Sequence, residues 1–267
     1  YSSSDYGSTW TETSAPSASW HSIATSDSGM FVYAVINPAG MHRSSDYGST
    51  WTETSAPSFA FWFGIATSDS GMFVYAVIYD GGIYSSSDYG STWTETSAPS
   101  ASWHSIATSD SGMFVYAVIN PAGMHRSSDY GSTWTETSAP SFAFWFGIAT
   151  SDSGMFVYAV IYDGGIYSSS DYGSTWTETS APSFAFWFGI ATSDSGMFVY
   201  AVIYDGGIYS SSDYGSTWTE TSAPSATWNS IATSDSGMYV YAAIQDGGIY
   251  SSSDYGSTWT ETSAPSA

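Results

Sequence analysis

Carboxylates are the most abundant reactive groups in this chain, with 24 Asp and Glu set against only two basic residues, Arg43 and Arg126. Two carboxylates held roughly 5–10 Å apart across a cleft could hydrolyse a glycosidic bond. Every acid, however, stands at a repeated position. These are the Asp of Ser-Asp-Tyr-Gly (Asp5, Asp46, Asp88, Asp129, Asp171, Asp213, Asp254), the Glu of Thr-Glu-Thr, the Asp of Ser-Asp-Ser-Gly and the Asp of Asp-Gly-Gly. A catalytic pair has to break such symmetry, and none does, so no catalytic residue is expected. The histidines pair as His21 with His42 and His104 with His125. On the first and third strands of one sheet, each pair lies roughly 9–10 Å apart. One ion with ligands at about 2 Å cannot hold both. No metal and no cofactor are expected.

Aromatic side chains are the second concentration. Phe59, Phe61, Trp62 and Phe63 place four rings in five residues, and the pattern returns at Phe142, Phe144, Trp145 and Phe146 and at Phe184, Phe186, Trp187 and Phe188. Successive strand side chains alternate faces, so these four cannot all enter one core. Packing between neighbouring repeats, a protein–protein patch and a sugar-stacking platform are the alternatives. His42, Arg43, His125 and Arg126, in the other segment that varies between repeats, complete the candidate interaction patch. Trp20, Trp103 and Trp228 read as packed.

The elements that position these groups come from one repeated unit. The Asp of Ser-Asp-Tyr-Gly-Ser-Thr-Trp recurs every 41 or 42 residues, seven times. Within a unit, Trp20 to Ser26 reads as a strand and Asp27-Ser28-Gly29 as a turn. Met30 to Ile36 is an apolar, β-branched and aromatic run that fits a strand covered on both faces. Met41 to Ser45 and Thr50 to Thr54 are the third and fourth strands, joined by the Asp-containing turn. Its carboxylate can accept backbone N–H bonds while its Gly takes φ > 0. Four short antiparallel strands per roughly forty residues make one propeller blade.

The turn resembles the Asp-box, Ser-x-Asp-x-Gly-x-Thr-Trp, of β-propellers such as sialidases and sortilin-type receptors. The resemblance implies an all-β propeller of four-stranded antiparallel blades, with the box as a structural staple between third and fourth strands. It also implies that the first strand of each blade lines the central channel. Sialidases hold a substrate carboxylate with three arginines; Arg43 and Arg126 occupy one position in two copies of a unit, so that triad cannot be assembled.

Residues 1–267 read as one domain: repeats from 19 to 267, preceded at 1–18 by an extra third-and-fourth-strand hairpin identical to the last 18 residues. Either six blades close and one hairpin is redundant, or a seventh blade is half-made and a neighbouring chain completes it. A cut from a longer array is the third reading, and the start at Tyr1, inside a repeat, points to a processed product, a fragment or the ordered part of something longer. The net charge of −22 excludes nucleic acid and anionic membrane as natural partners. The apolar run Met30 to Ile36 has seven residues, and no run approaches the length of a membrane span. Composition points to an extracellular setting. The expected function is a non-enzymatic, self-assembling structural module, partnered by its own copies through the terminal hairpin and the variable patches. The alternatives are a multivalent lectin-like propeller with glycan partners, and an amplified or engineered repeat scaffold without a ligand.

Overall fold

The structure, a computed structural model, describes residues 1–265; the last two residues of the 1–267 span lie outside it. The chain falls into two compact units, Thr13–Ala143 and Tyr1–Glu12 with Phe144 onward. Among the described residues every regular element is a strand.

In the unit Thr13–Ala143, the first blade is formed by β1 (Trp20–Thr25), β2 (Val32–Ile36), β3 (Met41–Ser44) and β4 (Thr52–Glu53), in that order and antiparallel. The second blade repeats it with β5 (Trp62–Thr67), β6 (Val74–Ile78), β7 (Ile83–Ser86) and β8 (Thr94–Glu95), and a third begins at Trp103. All five residues of β2 are buried because both faces are used. Tyr33, Val35 and Met41 pack against Trp62, Ile65, Val74 and Ala76 of the next blade, so the core lies between blades. The tyrosine hydroxyl reaches across and donates to the Gly71 carbonyl at 2.7 Å.

The unit containing Phe144 onward holds three more blades, whose first strands start at Trp145, Ala185 and Trp228. The fourth and fifth blades join into one eight-stranded sheet through the pairs Tyr162↔Phe186 and Gly164↔Ala185. Tyr200, Val202 and Ile208 of the fifth blade meet Trp228, Ile231, Val240 and Ala242 of the sixth.

The Asp turn is a closed hydrogen-bond circuit. The Ser44 hydroxyl donates to Asp46 Oδ1 at 2.7 Å and accepts the Gly48 N–H at 2.9 Å. The same carboxylate accepts the Thr50 N–H at 2.8 Å and the Thr50 hydroxyl at 2.6 Å. Two residues, not one, are left-handed here: Tyr47 at φ 61° and Gly48 at φ 79°. A tyrosine in that region is strained. The strain is offset because the turn tyrosine packs its ring, tilted, against the preceding blade, Tyr89 on Phe31 at 4.7 Å and Tyr255 on Phe198 at 4.7 Å.

An equivalent ring contact gives the position of the extra hairpin. Tyr6 stacks on Tyr239 of the sixth blade at 4.8 Å, and Ser263 Oγ donates to the Ser8 carbonyl at 2.8 Å, as Ser222 does to Ser257 at 2.7 Å. The segment Tyr1–Glu12 therefore occupies the outer half of the slot that follows the sixth blade.

Candidate functional site

The first strand of each blade carries an irregularity. In β5, Trp62 pairs with Ile78 and Gly64 with Val77, which leaves Phe63 as an extra, unpaired residue. His21, His104, Phe146, Phe188 and Asn229 are bulged in the same way. A bulge kinks the strand and re-aims one side chain. Flanking glycine assists in the Phe-bearing blades: a Cβ on Gly64 would stand 3.3 Å from Val77 and 3.4 Å from the backbone of the next inner strand.

The bulged residue meets the residue that follows the Val-Tyr-Ala-Val-Ile run of the second strand, which opens the other segment at which the repeats differ. Phe146 stacks on Tyr162 at 4.9 Å, and Phe188 lies 5.2 Å from Tyr204. Phe146 and Phe188 are 5.0 Å apart, and Tyr204 donates its hydroxyl to Gln245 Oε1 at 3.0 Å. With Asn229 these six residues line an open cavity of about 500 Å³ in the unit Phe144 onward. The unit Thr13–Ala143 has a shorter version, with Phe63 at 4.6 Å from His21, 5.0 Å from Tyr79 and 5.3 Å from His104. Burial holds the His21 imidazole below its ordinary pKa, which favours the neutral ring. Each aromatic pair of the larger cavity is followed in sequence by the acid of an adjacent turn, Asp163 or Asp205, and Gln245 by Asp246.

The structure divides the aromatic cluster read from the sequence into three destinations. Trp62, Trp145 and Trp187 are fully buried between blades and cannot join a surface patch. Phe63, Phe146 and Phe188 are the bulged residues of the clusters above. Phe61, Phe144 and Phe186 are exposed just before them, and Phe186 adds its ring to Tyr162 at 4.8 Å. Phe59, Phe142 and Phe184 project furthest, at 87%, 89% and 85% exposure, with φ of 64°, 66° and 63°.

His42 and His125 lie away from these clusters as edge-on partners of Trp20 (5.5 Å) and Trp103 (5.4 Å). Arg43 is spent on the scaffold, where its guanidinium donates to the Tyr89 carbonyl and to Ser91 Oγ at 2.8 Å. Arg126 is also engaged. The seven turn aspartates face their own Thr and Ser partners, whose hydrogen bonds hold the carboxyls below the usual range. Among the described residues no three His, Cys, Asp or Glu side chains gather as metal ligands.

No family model matches the chain, and a search of curated proteins found no match. Solved structures do resemble it. YCF48 bound to D1 peptide superposes with a TM-score of 0.71 at 17% identity, over 92% of this chain and 81% of that one. Virginiamycin B lyase from Staphylococcus aureus gives 0.75 at 17%, over 94% and 86%. The GH74 xyloglucanase from Xanthomonas campestris gives 0.72 at 15%, over 92% of this chain but 46% of the enzyme. These neighbours overturn the expectation of a non-enzymatic, self-assembling structural module, together with its lectin-like and ligand-free alternatives. That expectation rested on the strand count, the variable patches and the lack of a catalytic set, and the same architecture carries a xyloglucanase and a lyase as well as YCF48. What the likeness establishes is the fold: the chain is a β-propeller of four-stranded antiparallel blades.

Proposed function

We propose that this propeller, of the Asp-box type, binds a cationic segment of a partner polypeptide in the cavity built from the bulged residues. One observation carries the reading: a varying residue from each of the two segments that differ between repeats converges there, as Phe146, Tyr162, Phe188, Tyr204, Asn229 and Gln245. Four aromatic rings and two amides offer π faces and carbonyl oxygens to a Lys or Arg side chain, with no cation in the lining to repel it. The net charge of −22 draws such a segment in from solution. That a YCF48 of this fold is seen with a peptide adds support from architecture alone.

The test is calorimetric titration of arginine- and lysine-containing peptides into the whole chain and into Phe188→Asn. Asparagine stands at the equivalent bulge in Asn229, so the fold accommodates it. The reading expects saturable binding that weakens with salt and drops at least about tenfold in the variant, a loss of one stacked ring. Equal binding by variant and parent, or none by either, would reject it.

A further inference from the structure

One position of the repeat carries arginine in two blades and serine in the others. Arg43 and Arg126 stand where the remaining blades have Ser85, Ser168, Ser210 and Ser251. In the unit Thr13–Ala143 the guanidinium of Arg43 crosses from β3 to the Asp turn of the second blade. There it donates to the Tyr89 carbonyl and to Ser91 Oγ at 2.8 Å. The side chain thus fills the gap between two consecutive turns and bonds two groups of the far one.

The fourth blade has the same frame without the filling. Ser168, on the third strand Ile166–Ser169, pairs with Tyr158 as Arg43 pairs with Tyr33. The turn opposite is placed as in the second blade, with Tyr214 at 4.7 Å from Phe156 just as Tyr89 is from Phe31. A Cβ on Gly215 would stand 3.0 Å from the Tyr158 ring, against 2.9 Å for Gly90 and Tyr33. Between strand and turn lies an open cavity of about 260 Å³ whose lining includes Ser168, Thr175, Tyr214 and Ser216. Tyr214 and Ser216 are the counterparts of the two residues that accept from Arg43. The Ser216 hydroxyl donates to the Asp213 carbonyl at 2.8 Å, which leaves its lone pairs to accept.

The surroundings favour positive charge. The Asp171 carboxylate accepts the Thr175 hydroxyl at 2.7 Å and Asp213 immediately precedes Tyr214, so each of the two turns that flank the cavity brings a carboxylate ionised at neutral pH. The unit Phe144 onward contains no Arg or Lys of its own. An ammonium would meet the two acceptors as a point charge, whereas a planar guanidinium fork bonds both at once.

We infer that this cavity is a receptor for a guanidinium group, carried in on an arginine side chain of a partner polypeptide. The group takes the place that Arg43 takes in the first blade and donates to the Tyr214 carbonyl and to Ser216 Oγ. The same residue types recur at Ser85 with Tyr130 and Ser132, and at Ser210 with Tyr255 and Ser257, so the repeat offers the receptor more than once. None of these residues lines the aromatic cavity, so the inference stands apart from the cationic-peptide reading.

The probe is acetyl-Gly-Arg-Gly-amide, titrated calorimetrically into the whole chain and into Phe188→Asn, in which the aromatic cavity is weakened. Saturable binding is expected in both, at least about tenfold tighter than that of the lysine counterpart, which lacks the fork. Ser168→Arg fills the cavity from within, as Arg43 does in the first blade, and should lower the number of bound peptides by one. Arg43→Ser should raise it by one, at Tyr89 and Ser91, and keeps the test intact should Ser168→Arg misfold. A crystal structure with the peptide should place a guanidinium within hydrogen-bond reach of Tyr214 and Ser216. Absence of binding, equal affinity for lysine, a guanidinium seated elsewhere, or unchanged numbers of bound peptides in these two variants would overturn the inference. Binding by the parent chain but none by Phe188→Asn would overturn it as well, while upholding the aromatic cavity as the site for cations.

Discussion

The tyrosine at the centre of each second strand allows one substitution to be tried in two settings. Tyr158 is fully buried, and its hydroxyl donates to the Gly196 carbonyl of the following blade at 2.7 Å. Gly196 is itself buried, so Tyr158→Phe leaves its carbonyl without that donor and without water. An unsatisfied buried acceptor costs about 1–3 kcal/mol. For a chain of this size that lowers Tm by roughly 2–4 °C per kcal/mol. Tyr241 occupies the same place in the sixth blade, but it is only part-buried and its hydroxyl donates to no acceptor among the described residues. Tyr241→Phe should therefore change stability by no more than about 0.5 kcal/mol, the range of a surface replacement. Urea unfolding followed by tryptophan fluorescence measures both. Equal losses at the two positions would refute the reasoning, since Tyr241 would then have to be as fully engaged as Tyr158.

Three further outcomes follow from the packing and the turns. Trp187→Ala, which empties a fully buried site between blades, should cost about 3–5 kcal/mol, and Trp20→Ala distinctly less, because Trp20 is 36% exposed; thermal unfolding compares them. Phe184 holds φ 63° while 85% exposed, so Phe184→Asn, which suits that backbone and buries nothing less, should be neutral or stabilising by up to about 1 kcal/mol in the same assay. The third concerns acid. Hydrogen bonds from the Thr9 side chain, then its backbone N–H, then Ser3, hold Asp5 at about 2, below the usual 3.8, and Thr50 and Ser44 act on Asp46 in the same direction. A depressed folded pKa gives stability that is complete above about 3.8 and is lost as pH falls towards about 2. Asp5→Asn should thus be less stable than the parent at pH 7, and the gap should close across that window in urea titrations; a gap independent of pH would contradict the linkage.

The strands were legible because their signals are local. Val32–Ile36 is β-branched and aromatic throughout, and each Asp-Tyr-Gly marks its turn, so a four-strand unit follows from the sequence alone. The left-handed tyrosine of that turn was not legible, because what tolerates its strain is a ring on another blade, Tyr89 on Phe31. The site was half legible. The sequence shows that repeats differ at Phe63 and at Tyr79, but a period of two residues does not reveal a bulge, and the bulge brings those two rings within 5.0 Å. Without it, Trp62 and Phe63 look like members of one patch; with it, one enters the core and the other the cluster. Arg43 misleads for a similar reason, since its acceptors Tyr89 and Ser91 lie a full repeat away. Counting strands exposed an extra hairpin, whereas its location came only from the seat of Tyr6 on Tyr239.

The most direct test of the account is hydrogen exchange, read by mass spectrometry, on the whole chain with and without a saturating arginine-containing peptide. Protection concentrated on the bulges and the residues opposite them, 145–148, 162, 187–190, 204, 229 and 245, is the predicted result. Protection confined to the Asp turns or to the exposed Phe59, Phe142 and Phe184, or no protection at all, would contradict it.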